Sequence, residues 1–173
     1  MSTENTPMDA ASTETTANQY LTFVLAGEYY ALPVATVREV LELQEVTRIP
    51  QMADYMKGVI NVRGSVLPVI DLRLKFGMEE AEATVDTAIV VTDVAAGDDR
   101  VTVGCQADSV DEVLDIPPEN IEPAPRVGTK VNADFIKGIG KNNEHFIMIL
   151  DIDRVFRDDE LEALEAGSRM AQA

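Results

Sequence analysis

Cysteine and histidine are almost absent from this sequence of 173 residues, which contains only Cys105 and His145. One thiol excludes an internal disulfide and any metal site that needs several thiolates, and one imidazole leaves no histidine pair for zinc. Cys105 follows Gly104 in an apolar run, a setting more typical of an inert core thiol than of a nucleophile. The sequence therefore predicts neither a metal nor a cofactor.

Long hydrophobic runs are absent as well. No apolar stretch approaches the ~20 residues that span a bilayer, and the N-terminus has no apolar segment typical of a signal peptide. Residues 1–19 contain no Leu, Ile, Val or aromatic residue, so we expect a disordered tail there, because it has nothing to bury. We expect a cytoplasmic protein without direct membrane insertion.

Positive charge is scarce. The chain has 14 Lys and Arg against 31 Asp and Glu, for a net charge of −17. A nucleic-acid binder needs a cationic surface to displace phosphate counterions, so this class of function is excluded, and binding to an anionic membrane is disfavoured. The imbalance is uneven: residues 20–77 hold six acids and six bases, whereas residues 78–157 hold 17 acids and seven bases. We hypothesise that the cations of the first segment face partners: Arg38, Arg48, Lys57, Arg63 and Arg73.

Alternating apolar residues predict β-strands along most of the chain. The strongest hairpin signal is a pair of apolar runs, 59–62 and 65–70, that flank Arg63-Gly64, where glycine can supply the positive φ of a tight turn. Valines at spacings of three within residues 34–41 indicate one or two helical turns before a strand.

Polar segments divide the chain. Residues 78–87 form a predicted linker, and strands are predicted again at 88–94 and 101–105. Near the end of the chain, residues 158–166 predict a short amphipathic helix, followed by a frayed tail at 167–173.

The chain contains an internal duplication. Residues 37–43 (VREVLEL) match residues 110–116 (VDEVLDI) at a shift of 73. Residues 57–59 (KGV) match residues 137–139 (KGI) at a shift of 80, which also aligns Asp71 with Asp151. We predict two β-rich subdomains, about 20–77 and 88–157, each a small barrel of roughly five strands; part of each core lies against the other copy.

These segments are similar to the CheW family of chemotaxis coupling proteins. The resemblance lies in residues 58–73 (GVINVRGSVLPVIDLR), 20–25 (YLTFVL), 46–50 (VTRIP) and the duplicated V-x-E-V-L stretches, and it covers about 20–165. It implies a mainly β fold of two five-stranded SH3-like barrels with short helices and a C-terminal helix. It also implies a non-catalytic adaptor of receptor arrays. The implied partners are the regulatory domain of a CheA-type histidine kinase, the cytoplasmic tip of chemoreceptors, and other CheW copies.

The resemblance also implies the functional residues. Glu39 and Arg63 match an acidic and basic pair near a receptor groove between the barrels, and Ala88 replaces a larger aliphatic residue, which bears on the depth of that groove. The other positions match residues that disturb coupling or lie near the groove in the second barrel. The complete predicted receptor-binding and coupling set is Val37, Glu39, Gly58, Arg63, Ala88, Val110 and Val113.

Each assignment has a structural alternative. Arg63 at a hairpin tip is also compatible with an ordinary solvated turn residue. However, Arg63-Gly64 aligns with Asn143-Glu144 in the second copy. A residue needed by the barrel should recur in both barrels, so the difference favours a partner-binding role for Arg63. Glu39 recurs as Glu112, which makes a shared structural role an equal alternative.

An enzymatic function has little support. Asp71 and Asp151 are paired carboxylates in a shared context, but each precedes a short helical segment, where Asp caps a helix start. Gly58 and Gly64 lack the Lys-Ser/Thr of a phosphate-binding loop. We predict that the chain is not an enzyme. The alternatives are a CheW-like scaffold of a non-flagellar pathway (twitching or second-messenger) and a small-molecule-binding barrel. A CheV-type fusion is disfavoured because the sequence has no receiver.

Overall fold

The computed structural model describes residues 18–123, 133–142 and 145–172. Within these ranges the strands are β1 (Gln19–Leu25), β2 (Glu28–Pro33), β3 (Val37–Glu42), β4 (Met56–Val62), β5 (Ser65–Asp71), β6 (Ala88–Ala96), β7 (Asp99–Ala107), β8 (Ser109–Asp115), β9 (Ile121–Glu122), β10 (Ile136–Asn142) and β11 (His145–Leu150). The helices are α1 (Leu72–Lys75), α2 (Ile152–Val155) and α3 (Asp158–Gln172). Residues 1–17 of the predicted tail lie outside the described ranges, and Gln19 already begins β1.

The described strands form two sheets. One has the order β3-β6-β7-β5-β4, here called the central barrel, and the other has the order β8-β1-β2-β11-β10-β9, here called the terminal barrel. In the central barrel, the residues after β3 pair with β4 through Thr47 and Val59, which brings the two edges of the sheet together. In the terminal barrel, the two edge strands, β8 and β9, follow one another in the chain. The predicted mainly β fold is confirmed.

The sheets do not follow the predicted division at 20–77 and 88–157. The hairpin β1–β2 lies in the sheet of the second copy, through a parallel pairing of β2 with β11. The hairpin β6–β7 lies in the sheet of the first copy, through a parallel pairing of β7 with β5. The two copies have therefore exchanged their first hairpins. Alternation along a strand specifies its faces but not its neighbours, so the sequence pattern could not reveal this exchange.

The duplication is visible in backbone detail. A register shift lies between Met56 and Gly58 in β4 and between Ile136 and Gly138 in β10, at the shift of 80 found in the sequence. Asp71 and Asp151 follow the same shift. The Asp71 side chain accepts from the backbone N–H of Arg73 at 2.9 Å, and Asp151 accepts from that of Asp153 at 3.2 Å. Both carboxylates cap short helices, as predicted.

The core has three parts. One cluster contains only central-barrel residues, including Ile60, Val69 and Ile89. A second contains Tyr20, Ile147 and other residues of the terminal barrel. The largest cluster takes side chains from both barrels and is completed by Leu161 and Leu164 of α3. Strands such as β5 and β6 are therefore buried on both faces, which explains their continuous apolar runs.

Two local predictions differ from the structure. The helical turns expected within 34–41 are limited to a 3₁₀ turn at Val34–Thr36, because the valines that follow pair with β6 as strand β3. The terminal helix continues past 166 to Gln172. Gly167 lowers helix propensity by about 1 kcal/mol, but the residues after it include good helix formers, Met170 and Ala171.

Candidate functional site

Arg63 lies at the tip of the β4–β5 hairpin. Both turn residues have positive φ, 51° at Arg63 and 85° at Gly64, which is the type I′ geometry that matches the twist of a hairpin. The side chain of Asn61 accepts from the Gly64 N–H at 3.0 Å and supports the turn. A non-glycine residue rarely adopts this conformation. The turn therefore projects a long cation, whose side chain is 71% exposed.

Arg63 is ion-paired with Glu39 of β3. The guanidinium donates a hydrogen bond to the Glu39 carboxylate, and this hydrogen bond raises the pKa of Arg63. The pair contributes little to stability because the Arg63 side chain is largely exposed to solvent. Its consequence is geometric: Glu39, on strand β3 paired with β6, fixes the direction of the Arg63 side chain.

A groove of about 470 Å³ runs beside this pair. It is lined by Arg38, Glu39, Val62, Arg63, Ser65, Val66, Leu67, Val91 and Thr102. Arg38 is 3.3 Å from Asp93, and Asp93 accepts a hydrogen bond from the Thr102 hydroxyl at 2.7 Å. The groove thus combines four apolar side chains, Val62, Val66, Leu67 and Val91, with the ion pairs of Arg38 and Arg63. Of the nine lining residues, Glu39 and Arg63 were among the predicted site residues and the other seven were not.

The other predicted residues of the central barrel lie apart from the groove lining. Val37 is half-buried and packs against the shared core. Gly58 is a backbone position: its φ is +145°, and a Cβ there would lie 2.1 Å from the Thr47 carbonyl oxygen. Ala88 is buried at 9% exposure and pairs with Glu42, at the opposite end of β3 from Val37. Ala88 therefore does not line this groove, which lies within the central barrel rather than between the barrels.

Val110 and Val113 lie in β8 of the terminal barrel. Val110 packs against the shared core, as Val37 does, and Val113 is 48% exposed. Between them, the backbone of Glu112 is fastened to β1: the Thr22 hydroxyl donates to its carbonyl at 2.6 Å and accepts from its N–H at 3.0 Å. The counterpart of the Arg63 turn, residues 143–144, is outside the described ranges. The structure joins Glu39 with Arg63 and places the two valines on the equivalent strand of the other barrel.

An exposed aromatic residue of the terminal barrel was also missed. Phe146 in β11 is 64% exposed and aligns with Val66 at the shift of 80. The available signal was the duplication itself: once Val66 is known to line the groove, its counterpart marks the equivalent place on the other barrel.

The first-copy cations, which are hypothesised to face partners, differ in exposure. Arg73 is directed into the molecule: its side chain is 19% exposed and pairs with Asp108 at 2.5 Å. Lys57 is 2.6 Å from Glu80 of the linker. Arg38 and Arg63 remain largely exposed although each has an acidic partner.

The side chains that could carry out chemistry, the Cys105 thiol and the Asp71 carboxylate, are buried, and Asp71 is already hydrogen-bonded. Cys105 is fully buried, and burial raises the pKa of its thiol to about 12. Burial also raises the pKa of Asp71, which caps α1. Within the described ranges, no cluster of His, Cys, Asp and Glu could hold a metal ion. In the same ranges, no helix is both long and apolar enough to cross a membrane.

Fold and site together define a duplicated β-barrel protein whose surface carries a groove lined by charged and apolar side chains. The CheW-like domain model matches residues 19–160, and the chain belongs to this family. It is 32% identical over 152 residues to the chemotaxis protein CheW of Klebsiella aerogenes, covering 88% of this chain and 89% of that protein. It is 34% identical over 140 residues to CheW of Bacillus subtilis, covering 81% and 87%.

Solved structures agree with this family. The chain is similar to the crystal structure of the scaffolding protein TtCheW from Thermoanaerobacter tengcongensis, with a TM-score of 0.74 and 31% identity, over 83% of this chain and 90% of that one. CheW proteins are chemotaxis scaffolds and adaptors rather than enzymes. The prediction that the chain is not an enzyme is therefore confirmed by its family.

Proposed function

We propose that this protein couples chemoreceptors to a CheA-type histidine kinase by binding both. The observation that carries the proposal is the exposed Arg63, held by Glu39 beside the groove of the central barrel. Glu39 recurs in the second copy and Arg63 does not. Because the second copy lacks this cation, we infer that the barrel fold does not need it. An exposed cation on a strained turn suits the selective binding of another protein.

The apolar part of the binding surface consists of Val37, Val110 and Val113. Val37 of β3 and Val110 of β8 are half-buried and pack against the shared core, and Val113 of β8 is 48% exposed. Such apolar side chains suit a receptor hairpin that buries its own apolar face against them. We place the protein in the cytoplasm, where it is recruited to membrane-associated arrays by these contacts.

The test uses chemoreceptors in membranes reconstituted with CheA and this protein. We expect Arg63→Glu to abolish receptor control of kinase activity while circular dichroism shows an intact fold. Arg154→Glu is the matched control, because Arg154 is 69% exposed and lies outside the groove. Receptor control that survives Arg63→Glu at the wild-type level would overturn the assignment. Capture of a CheA-like kinase from a non-flagellar pathway, without chemotaxis CheA, would move the function to that pathway.

A further inference from the structure

The main chain crosses between the barrels at residues 33–37 and again at residues 107–109. The second crossing contains Asp108, which links β7 of the central barrel to β8 of the terminal barrel. The shared core packs the two barrels together, and directional side-chain contacts at a crossing further restrict their relative angle. Contacts that restrain the angle are therefore important for any function that involves both barrels.

The Asp108 carboxylate accepts hydrogen bonds from both barrels. Its Oδ1 accepts from Arg73 Nε at 2.8 Å, and its Oδ2 accepts from Arg73 Nη2 at 2.5 Å. Oδ2 also accepts from the backbone N–H of Ala26, in the β1–β2 turn, at 2.9 Å. Arg73 belongs to α1, which directly follows β5 of the central barrel. This bidentate contact restricts the relative orientation of Arg73 and Asp108 as well as the distance between them, because a guanidinium and a carboxylate pair best in one plane.

The pseudo-equivalent junction is built differently. Asp153 of α2 aligns with Arg73 at the shift of 80, and its carboxylate accepts directly from the N–H of Ala95 near the β6–β7 turn at 2.9 Å. Helix α1 thus contacts the β1–β2 hairpin through Asp108, and helix α2 contacts the β6–β7 hairpin directly. Of these two hydrogen-bonded contacts, the one at Arg73 uses a pair of opposite charges and includes a crossing segment, whereas Asp153 accepts from a backbone N–H.

We propose that Arg73 and Asp108 are a positioning pair that fixes the angle between the barrels. Through this angle, a partner bound at one half of the binding surface influences the other half. Arg73 is connected through β5 and β4 to the Arg63 turn, and Asp108 is followed at once by the strand that carries Val110 and Val113. The role in transmission rests on the proposed function, whereas the restraint on the angle does not.

The restraint is tested with spin labels on cysteines introduced at Asp99 of the central barrel and Lys137 of the terminal barrel, which are both exposed. Native Cys105 is buried and remains unlabelled. We expect Arg73→Gln to broaden the inter-label distance distribution, Arg73→Lys to broaden it less, and Arg154→Gln on α2 to leave it unchanged. A distribution for Arg73→Gln as narrow as that of the wild type overturns the restraint.

Transmission is tested in the reconstituted receptor and kinase system. We expect Arg73→Gln to keep the separate affinities for receptor and kinase while receptor control of the kinase falls about tenfold. Arg73→Lys, which keeps the charge and one hydrogen bond, should restore part of this control. Equal losses of both affinities and of control would show a merely structural role and overturn the proposal. Absence of receptor control in the wild-type protein would instead refute the proposed function and leave the angular restraint standing.

Discussion

The Lys75 ammonium lies 3.1 Å from the Glu160 carboxylate, and their side chains are only 10% and 12% exposed. The same ammonium is within 5.1–5.8 Å of the ring centroids of Tyr55, Phe135 and Phe156. Glu160 also accepts from the Tyr55 hydroxyl and from the Arg157 backbone N–H, where it completes the first turn of α3. The Lys75–Glu160 pair and the surrounding rings therefore dock α3 onto both copies of the duplication.

Replacing Lys75 by Met is expected to destabilise the fold by about 2 kcal/mol, because Glu160 keeps two hydrogen-bond donors but loses its counter-charge in a shielded site. Urea unfolding at neutral pH measures this change. The control is Lys141→Met, which removes the exposed pair with Glu122 at 3.4 Å and should change stability by no more than about 0.5 kcal/mol. Equal effects of the two substitutions would contradict a special role for the Lys75 site.

Asp108 should contribute to acid sensitivity. The hydrogen bond from Arg73 lowers the pKa of this carboxyl from its ordinary value of 3.8. The unfolded chain thus binds the proton at higher pH than the folded one. The contribution of Asp108 is complete above the unfolded pKa and is lost as pH falls through the folded pKa.

Urea unfolding at a series of pH values below about 4 therefore should show a shallower loss of stability for Asp108→Asn than for the wild type. The comparison between the two proteins isolates Asp108 from Asp71, whose pKa is raised by burial and whose effect has the opposite sign. Parallel acid limbs would show that Asp108 does not titrate as described.

Gly58→Ala is expected to destabilise the protein by about 2–4 kcal/mol, because φ is positive and the added Cβ would meet the Thr47 carbonyl. Gly77→Ala is the control: its φ is +80°, but no atom lies within 4 Å of the added Cβ. There we expect about 1–2 kcal/mol from backbone strain alone. If Gly58→Ala abolished partner binding at full stability, Gly58 would belong to the interface itself rather than to the barrel.

Tyr30→Phe should be neutral or stabilising. The Tyr30 hydroxyl is buried in the shared core and has no hydrogen-bond partner in the part of the chain that the structure describes. Burial and the nearby Glu28 carboxylate raise its pKa, so it remains a neutral phenol. Removing an unsatisfied hydroxyl lifts a desolvation cost of about 1 kcal/mol. A clear drop in thermal midpoint would reveal a partner for this hydroxyl.

Local features of the sequence predicted the turn of the candidate site. The Arg63-Gly64 turn follows from the two apolar runs around it and from glycine, which accepts positive φ readily. Comparison of the two copies of the duplication predicts a partner-binding role for Arg63 and leaves the role of Glu39 open between structure and function. The groove lining could not be predicted from single strands, because Arg38, Val66 and Thr102 come from separate strands whose neighbours are set by pairing.

The sequence by itself determined the duplication, the capping of α1 and α2 by Asp71 and Asp151, and the β-rich class. Each of these depends on residue types within a short window or on repetition of such a window. Only the tertiary structure decided which sheet each hairpin joins, and with it the internal role of Arg73. The period of two along a strand assigns residues to faces but leaves the neighbouring strand open. The exchange of hairpins depends on the parallel pairings of β2 with β11 and of β5 with β7, between segments far apart in the chain.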